Sequence, residues 1–310
     1  MEIPSPISKS VILFYTLLSF YIFGFTLSSY FITFPRFFYV HENWQAFMTL
    51  YNSKTTIFLA IPSVLWLTSA ILLWFYSPKS FPKWIIYTAI GLTLISVSVT
   101  LVSVLPIFKT MQNVGFNSET HAHLLSISVY LQIIPSGFVC LSSLYLLNIY
   151  FQTIKPFRRW LFILLTILTF YLIGTNTVEA LIEYRLWNIV SATDWLPYRH
   201  NGPSFGVFLA VYLVPGWSTL LLIIPIIWLR PKGISIILPI AYLLLSIWAA
   251  FISATYFVPK AQMPLNDAYS KQILVDLVTN DDLKRVWVMY AFAVIVALMF
   301  WKTEVFQTRK

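Results

Sequence analysis

Three polar residues, Asn176, Glu179 and Glu183, stand inside a largely apolar run, Thr169–Trp195 (TFYLIGTNTVEALIEYRLWNIVSATDW). Spacings of three and four place all three on one face if the run is helical. Two carboxylates and an amide on one stripe are suited to holding a proton or the polar end of a ligand. Arg185, six residues past Glu179, falls roughly 120° round the helix at about 100° per residue and is badly placed to neutralise either acid. Counter-charge must come from another segment, and Arg36, His41, Arg199 and Lys260 stand at helix ends or loops on the same side. If the helix starts at Trp160, Glu179 lies about 20 residues, or ~30 Å, further on, at the far interface of a membrane. The functional reading is a ligand or proton site at the mouth of a cavity. The bland one is a wetted helix end packed against basic loops.

Further candidates gather in the loops that would lie on that side. Arg36, His41 and Trp44 follow the first apolar run, and Asp194 and Trp195 follow the fifth. Their rings, with Tyr39, Tyr51, Trp187 and Tyr198, suit an aromatic interface belt, and they equally suit a hydrophobic ligand. His41, His121, His123 and Glu119 are a weak alternative as metal ligands. The i, i+2 spacing of His121 and His123 points them to different helix faces, and no HExxH pattern occurs. Asn117 or Ser118 as a helix N-cap, with Glu119 in the first turn, accounts for the same residues. The assignment is therefore no metal, and the cofactor is left open. No P-loop, dinucleotide fingerprint, G-x-S-x-G or CxxC is present.

These residues need an unusual scaffold to hold them. The chain is 59% apolar, 18% aromatic and only 10% charged, more apolar surface than a soluble chain of this length can hide. The class is an all-α integral membrane protein. Eight apolar segments approach or exceed the ~20 residues a span requires: Val11–Phe34, Thr56–Phe75, Trp84–Phe108, Leu124–Phe151, Trp160–Ile182, Val207–Leu229, Ile234–Val258 and, shortest, Val286–Trp301. The net charge of +9 is scattered through short loops, which excludes a nucleic-acid patch and reads as a topology signal. Ser77–Lys83, Gln152–Arg159 and Arg230–Gly233 are short, basic and free of acids, whereas Arg36–Thr55, Lys109–His123, Glu183–Gly206 and Lys260–Arg285 are longer and mixed. Both termini and the short loops are therefore expected in the cytoplasm, with a bacterial cytoplasmic membrane as the setting. One cysteine, Cys140, leaves no intrachain disulfide.

The loop lengths repeat. Long, short, long occurs twice about the basic linker at residues 152–159. NWQAF at Asn43 matches DWLPY at Asp194, Phe58-Leu59-Ala60 matches Phe208-Leu209-Ala210, Trp66 matches Trp217, and Pro78-Lys79 matches Pro231-Lys232. Four spans per half give both halves the same orientation, a parallel repeat. The expected architecture is eight transmembrane helices as two four-helix repeats, residues 1–151 and 160–310.

Two stretches carry a family resemblance: Phe34-Pro35 closing the first helix with the run up to Tyr51-Asn52, and Val258-Pro259-Lys260-Ala261-Gln262-Met263-Pro264-Leu265-Asn266-Asp267. Pro106 sits at the place comparable to the second stretch in the first half, and Trp287 enters the last helix. The pattern resembles the four-helix membrane family that includes the anthrone oxygenases. The resemblance implies two tandem copies covering the whole chain, and it brings Asn266 and Asp267 among the candidate ligand-binding residues.

The expected function is an enzyme or binding protein for a hydrophobic small molecule, with its site near the outer face. The alternatives are a secondary transporter or channel, and a structural or assembly subunit. The expected partners are the lipid bilayer and that hydrophobic molecule, not nucleic acid.

Overall fold

The computed structural model describes residues 5–201, 204–257, 259–260, 271–281 and 286–304, and no strand occurs among them. Among the described residues seven helices are long and apolar enough to cross a membrane: α1 (Pro6–Tyr39), α2 (Trp44–Tyr76), α3 (Lys83–Val114), α4 (Ser118–Tyr150), α5 (Pro156–Trp187), α7 (Phe205–Leu229) and α8 (Ile237–Tyr256). Between α5 and α7 lies the short α6 (Ala192–His200), and after α8 come α9 (Lys271–Asp281) and α10 (Trp287–Lys302). The apolar α10 has 16 residues, about 24 Å of helix against a ~30 Å hydrocarbon layer. The protein is a polytopic helical membrane protein. Large apolar side chains such as Phe75, Trp84, Trp228 and Ile237 stand exposed on the outside of the bundle, where lipid would cover them.

The expected loop Arg36–Thr55 is mostly helix. Within Trp44–Thr55 the buried residues are Trp44, Phe47, Met48, Tyr51 and Thr55, three and four apart on one face. The apolar run begins only at Thr56 because the opposite face of this segment is polar, yet the helix is continuous from Trp44. Ser5 and Asn117 cap α1 and α4 by accepting backbone N–H groups of Ser8, and of Glu119 and Thr120.

Each of the seven long helices carries one wide turn closed by i→i+5 bonds: Ser29–Thr33, Thr56–Ala60, Thr100–Val104, Ser128–Ile133, Glu179–Glu183, Leu209–Leu213 and Ser253–Phe257. Six of these end two residues before a proline: Pro35, Pro62, Pro106, Pro135, Pro215 and Pro259. Proline has no N–H to donate and its ring crowds the carbonyl four residues back, and a widened turn relieves both problems. A carbonyl freed this way inside lipid needs another donor. Tyr21 Oη donates to the Phe58 carbonyl, four residues before Pro62, at 2.7 Å, and Tyr171 Oη donates to the Val211 carbonyl, four before Pro215, at 3.2 Å. The exception is Glu179–Glu183, where Arg185 occupies the proline position.

The most buried helices, α1 and α5, form the centre and pack on each other along much of their length. Gly24 and Gly174 mark their closest approach: a Cβ on Gly24 would strike the Tyr171 carbonyl, and one on Gly174 would strike the Tyr21 carbonyl. Around α1 stand α2 and α4 with α3 between them, and around α5 stand α7 and α10 with α8 between them. One apolar core runs through both sets, from Val11 to Phe300.

Candidate functional site

Glu183 is buried, and its charge is met from the other half of the chain. Arg36 Nη1 lies 2.6 Å from Glu183 Oε2, and Tyr198 Oη donates to the same oxygen at 3.0 Å. Arg36 sits in the tight 3-10 turn Phe34–Tyr39 that ends α1, directly after a wide turn and Pro35. Tyr198 comes from α6, and its ring lies 5.3 Å from the Arg36 guanidinium carbon. One acid, one guanidinium and one phenol from α5, α1 and α6 thus close the Arg36 end of the bundle. The network is only partly satisfied, because Glu183 Oε1 and Arg36 Nε are buried without hydrogen-bond partners. Such a half-paired group costs free energy that full pairing would recover.

Of the four cations expected as counter-charges, Arg36 is the one that reaches the stripe. Lys260 lies against Tyr256 Oη at 3.2 Å and Asp276 at 3.8 Å, and His41 is exposed. The two acids of the expected stripe find separate partners. The wide turn Glu179–Glu183 departs from the 3.6-residue repeat on which that reading depends. Glu179 therefore pairs five residues along, accepting from Tyr184 Oη at 2.7 Å, while Glu183 turns to Arg36. Asn176 is half-buried, and its side chain makes no hydrogen bond among the described residues.

The loops after α1 and α5 clasp each other. Asp194 Oδ2 accepts the backbone N–H groups of His41 and Glu42, both at 2.8 Å, and Asn43 Nδ2 donates to the Ile189 carbonyl at 3.2 Å. Asn43 adopts a left-handed backbone, φ 57°, which Asn tolerates better than most residues. Trp44 Nε1 donates to the Met111 carbonyl at 2.7 Å, tying α2 to the end of α3. Trp195 is buried beside Trp187, ring centroids 5.7 Å apart.

Arg199 completes the end. Its guanidinium carbon lies 4.2 Å from the centroid of Trp187 and 5.7 Å from that of Trp195. Burial first, and the nearby Arg36 second, pull its pKa down to about 10, so it stays charged at neutral pH. Burial also pushes the Tyr198 phenol well above its ordinary range, with the Glu183 carboxylate adding to the effect. Tyr198 is thereby held as a neutral donor.

The metal alternative does not assemble. His121 is buried with Nε2 3.0 Å from the Phe34 carbonyl, whereas His41, Glu119 and His123 are exposed. Among the described residues no three His, Cys, Asp or Glu side chains gather. Asn266 and Asp267 lie outside the described residues. Thr26, Ser29, Tyr51 and Gln132 share with Phe25, Phe34, Leu59, Val104 and Phe108 a cavity of about 10 Å³, room for roughly one water.

Tyr198 and Tyr184 were legible in the sequence only as aromatic residues, and nothing marked them as carboxylate partners. Gly24 and Gly174 did carry a signal: each stands three residues after a tyrosine, and the two Tyr-x-x-Gly sets are 150 residues apart. Comparison with family models, curated proteins and solved structures finds no match.

Proposed function

We propose that this membrane protein is an eight-span pair of tandem four-helix repeats that binds a hydrophobic small molecule at the Arg36 end, facing outward from a bacterial cytoplasmic membrane. The observation that carries the reading is the buried Arg36–Glu183 pair with its unpartnered Glu183 Oε1 and Arg36 Nε. It grows from the wide turn that, alone among those of the seven long helices, has no proline to account for it. Wide turns of this kind recur at functional sites, and buried ion pairs are poor devices for stability alone.

The repeat is supported by recurrence. Wide turns start at 29 and 179, 150 residues apart, at 56 and 209, 153 apart, and at 100 and 253, again 153 apart. Helix neighbours follow the same order in both halves. The resemblance of each half to the anthrone oxygenase-like family belongs to this same reading. The acid-free basic loops support cytoplasmic termini.

The test is a mass-spectrometric search for lipids and quinones retained by the purified protein, repeated on Glu183→Gln and Glu179→Gln. Under this reading a hydrophobic species co-purifies with the wild type and is depleted in a variant that still inserts and purifies. Identical retained species in all three proteins count against it.

A secondary transporter is the second reading. The two halves touch at Gly24–Gly174 and are tied at both ends, by Arg36–Glu183 at one and by Lys9 at the other. Lys9 Nζ donates to the carbonyls of Trp301 and Thr303 at 2.6 and 2.7 Å. A central contact with a tie at each end is a geometry that rocking could use. Movement of the retained molecule across proteoliposomes, rather than binding alone, would select this reading.

A further inference from the structure

We propose that Arg199 and Trp187 form an oxyanion site, taking a carboxylate or phosphate group of the bound molecule. This rests on the ligand-binding reading above and names the polar half of that ligand.

Arg36 and Arg199 approach the same end of the bundle, where the buried Glu183 is engaged through Oε2 by Arg36 and Tyr198 and its Oε1 accepts no bond from Arg199. Asp194 is occupied by the backbone of His41 and Glu42, and Glu179 accepts from Tyr184. Arg199 makes no hydrogen bond and no ion pair among the described residues, and what holds it is the faces of Trp187 and Trp195. Stacking on rings positions a guanidinium but does not neutralise it.

The second observation is an independent surplus of donors. Arg199 Nε and Trp187 Nε1 are both buried without an acceptor. Native proteins satisfy buried donors in the great majority of cases, so two orphans on stacked partners point to a missing acceptor. The acceptor's chemistry follows from the donors. A guanidinium presents a planar fork that fits carboxylate and phosphate oxygens, and stacking on tryptophan leaves that fork free in its own plane. Arg199 is half-buried, so its exposed edge is the approach. Trp187, 3% exposed, offers its N–H only once the guanidinium shifts toward the incoming oxygens.

The experiment measures equilibrium binding to the purified full-length protein of four probes: oleate, dioleoyl phosphatidic acid, the neutral oleyl alcohol and inorganic phosphate. At least one anionic amphiphile should bind about tenfold or more tighter than oleyl alcohol, the scale of one charge-assisted hydrogen bond. Arg199→Gln should erase that preference, Arg199→Lys should keep part of it, and Trp187→Phe, which keeps a ring and removes the N–H, should weaken it. Thermal unfolding of each variant shows that the protein is intact, and Arg199→Lys serves if Arg199→Gln does not fold. Equal binding of charged and neutral chains, or a preference that survives Arg199→Gln, overturns the oxyanion site and leaves the hydrophobic-ligand reading standing. Arg199-dependent binding of inorganic phosphate with no gain from a chain keeps the site and overturns the hydrophobic ligand. No binding of any probe overturns both.

Discussion

Gly24 and Gly174 face each other across the central helix pair, each seated against the backbone carbonyl of the tyrosine three residues before the other. The relationship is reciprocal: Tyr21 and Gly24 stand to Tyr171 and Gly174 as Tyr171 and Gly174 stand to them. Without a side chain at either position the backbones come within direct contact, and in lipid such packing substitutes for the missing hydrophobic drive.

Alanine at either glycine should therefore be far more harmful than its size suggests. The added carbon meets backbone, which cannot rotate away. Gly24→Ala and Gly174→Ala should each cost at least the ~1–3 kcal/mol of an overpacked core, and by similar amounts. Gly91, with nothing within 4 Å of an added Cβ, is the control, where alanine should be neutral or stabilising by up to about 1 kcal/mol from helix propensity. Denaturation midpoints of the three variants in one detergent check this, and equal midpoints for Gly24→Ala and Gly91→Ala would refute the contact.

Tyr21 and Tyr171 repair carbonyls that prolines expose. Tyr21→Phe should cost about 0.6–2 kcal/mol, the range of a hydrogen bond within a membrane. Pro62→Ala restores an N–H that the Phe58 carbonyl can accept, so the cost of Tyr21→Phe should shrink in that background. Tyr171→Phe with Pro215→Ala should behave the same way, with a smaller effect because its bond is longer, 3.2 Å against 2.7 Å. Two double-mutant cycles read the coupling directly, and additive effects would mean that the tyrosines act by packing alone.

The membrane class was plain in the sequence because hydropathy over some 20 residues integrates a strong signal. The polar cluster was half legible. The spacing of Glu179 and Glu183 marked them, and the wrong placement of Arg185 implied a cation from elsewhere. The choice of Arg36 was not legible, since it depends on how the tight turn Phe34–Tyr39 bends the end of α1. The separate partners of the two acids were not legible, because helical periodicity assumes a regular helix and the wide turn at Glu179–Glu183 has no proline to announce it. The amphipathic start of α2 escaped for a related reason: its buried face is real, but its average hydropathy resembles that of a loop.

Topology follows from loop charge and has a direct check. Reporter fusions at Gly115, between α3 and α4, and at Lys155, just before α5, should report opposite sides of the membrane, with Lys155 cytoplasmic. The two positions lie at opposite ends of α4, a helix of 33 residues long and apolar enough to cross a membrane. Reporters on the same side would show that α4 does not cross.

The Arg36–Glu183 pair separates a structural role from a functional one. Arg36→Met alone leaves a buried carboxylate with Tyr198 as its remaining partner, and such a break costs about 3–5 kcal/mol. Glu183→Gln should cost less, because an amide oxygen still accepts from both Arg36 and Tyr198. Replacing both, Arg36→Met with Glu183→Leu, removes the stranded charge and should recover most of the loss, since buried pairs exchanged for apolar residues are often neutral in stability. It also leaves the Tyr198 hydroxyl without an acceptor, so recovery should be completed by Tyr198→Phe. The pH dependence supplies a second check. The raised pKa of Tyr198 means that the folded protein keeps a proton the unfolded chain begins to lose near pH 10, so this contribution is complete below that pH and declines above it. In Tyr198→Phe that part of the alkaline decline should be absent. If the pair only holds helices together, the apolar triple variant will be stable and will retain the same bound species as the wild type. If the pair belongs to a ligand site, the triple variant will be equally stable and will purify empty.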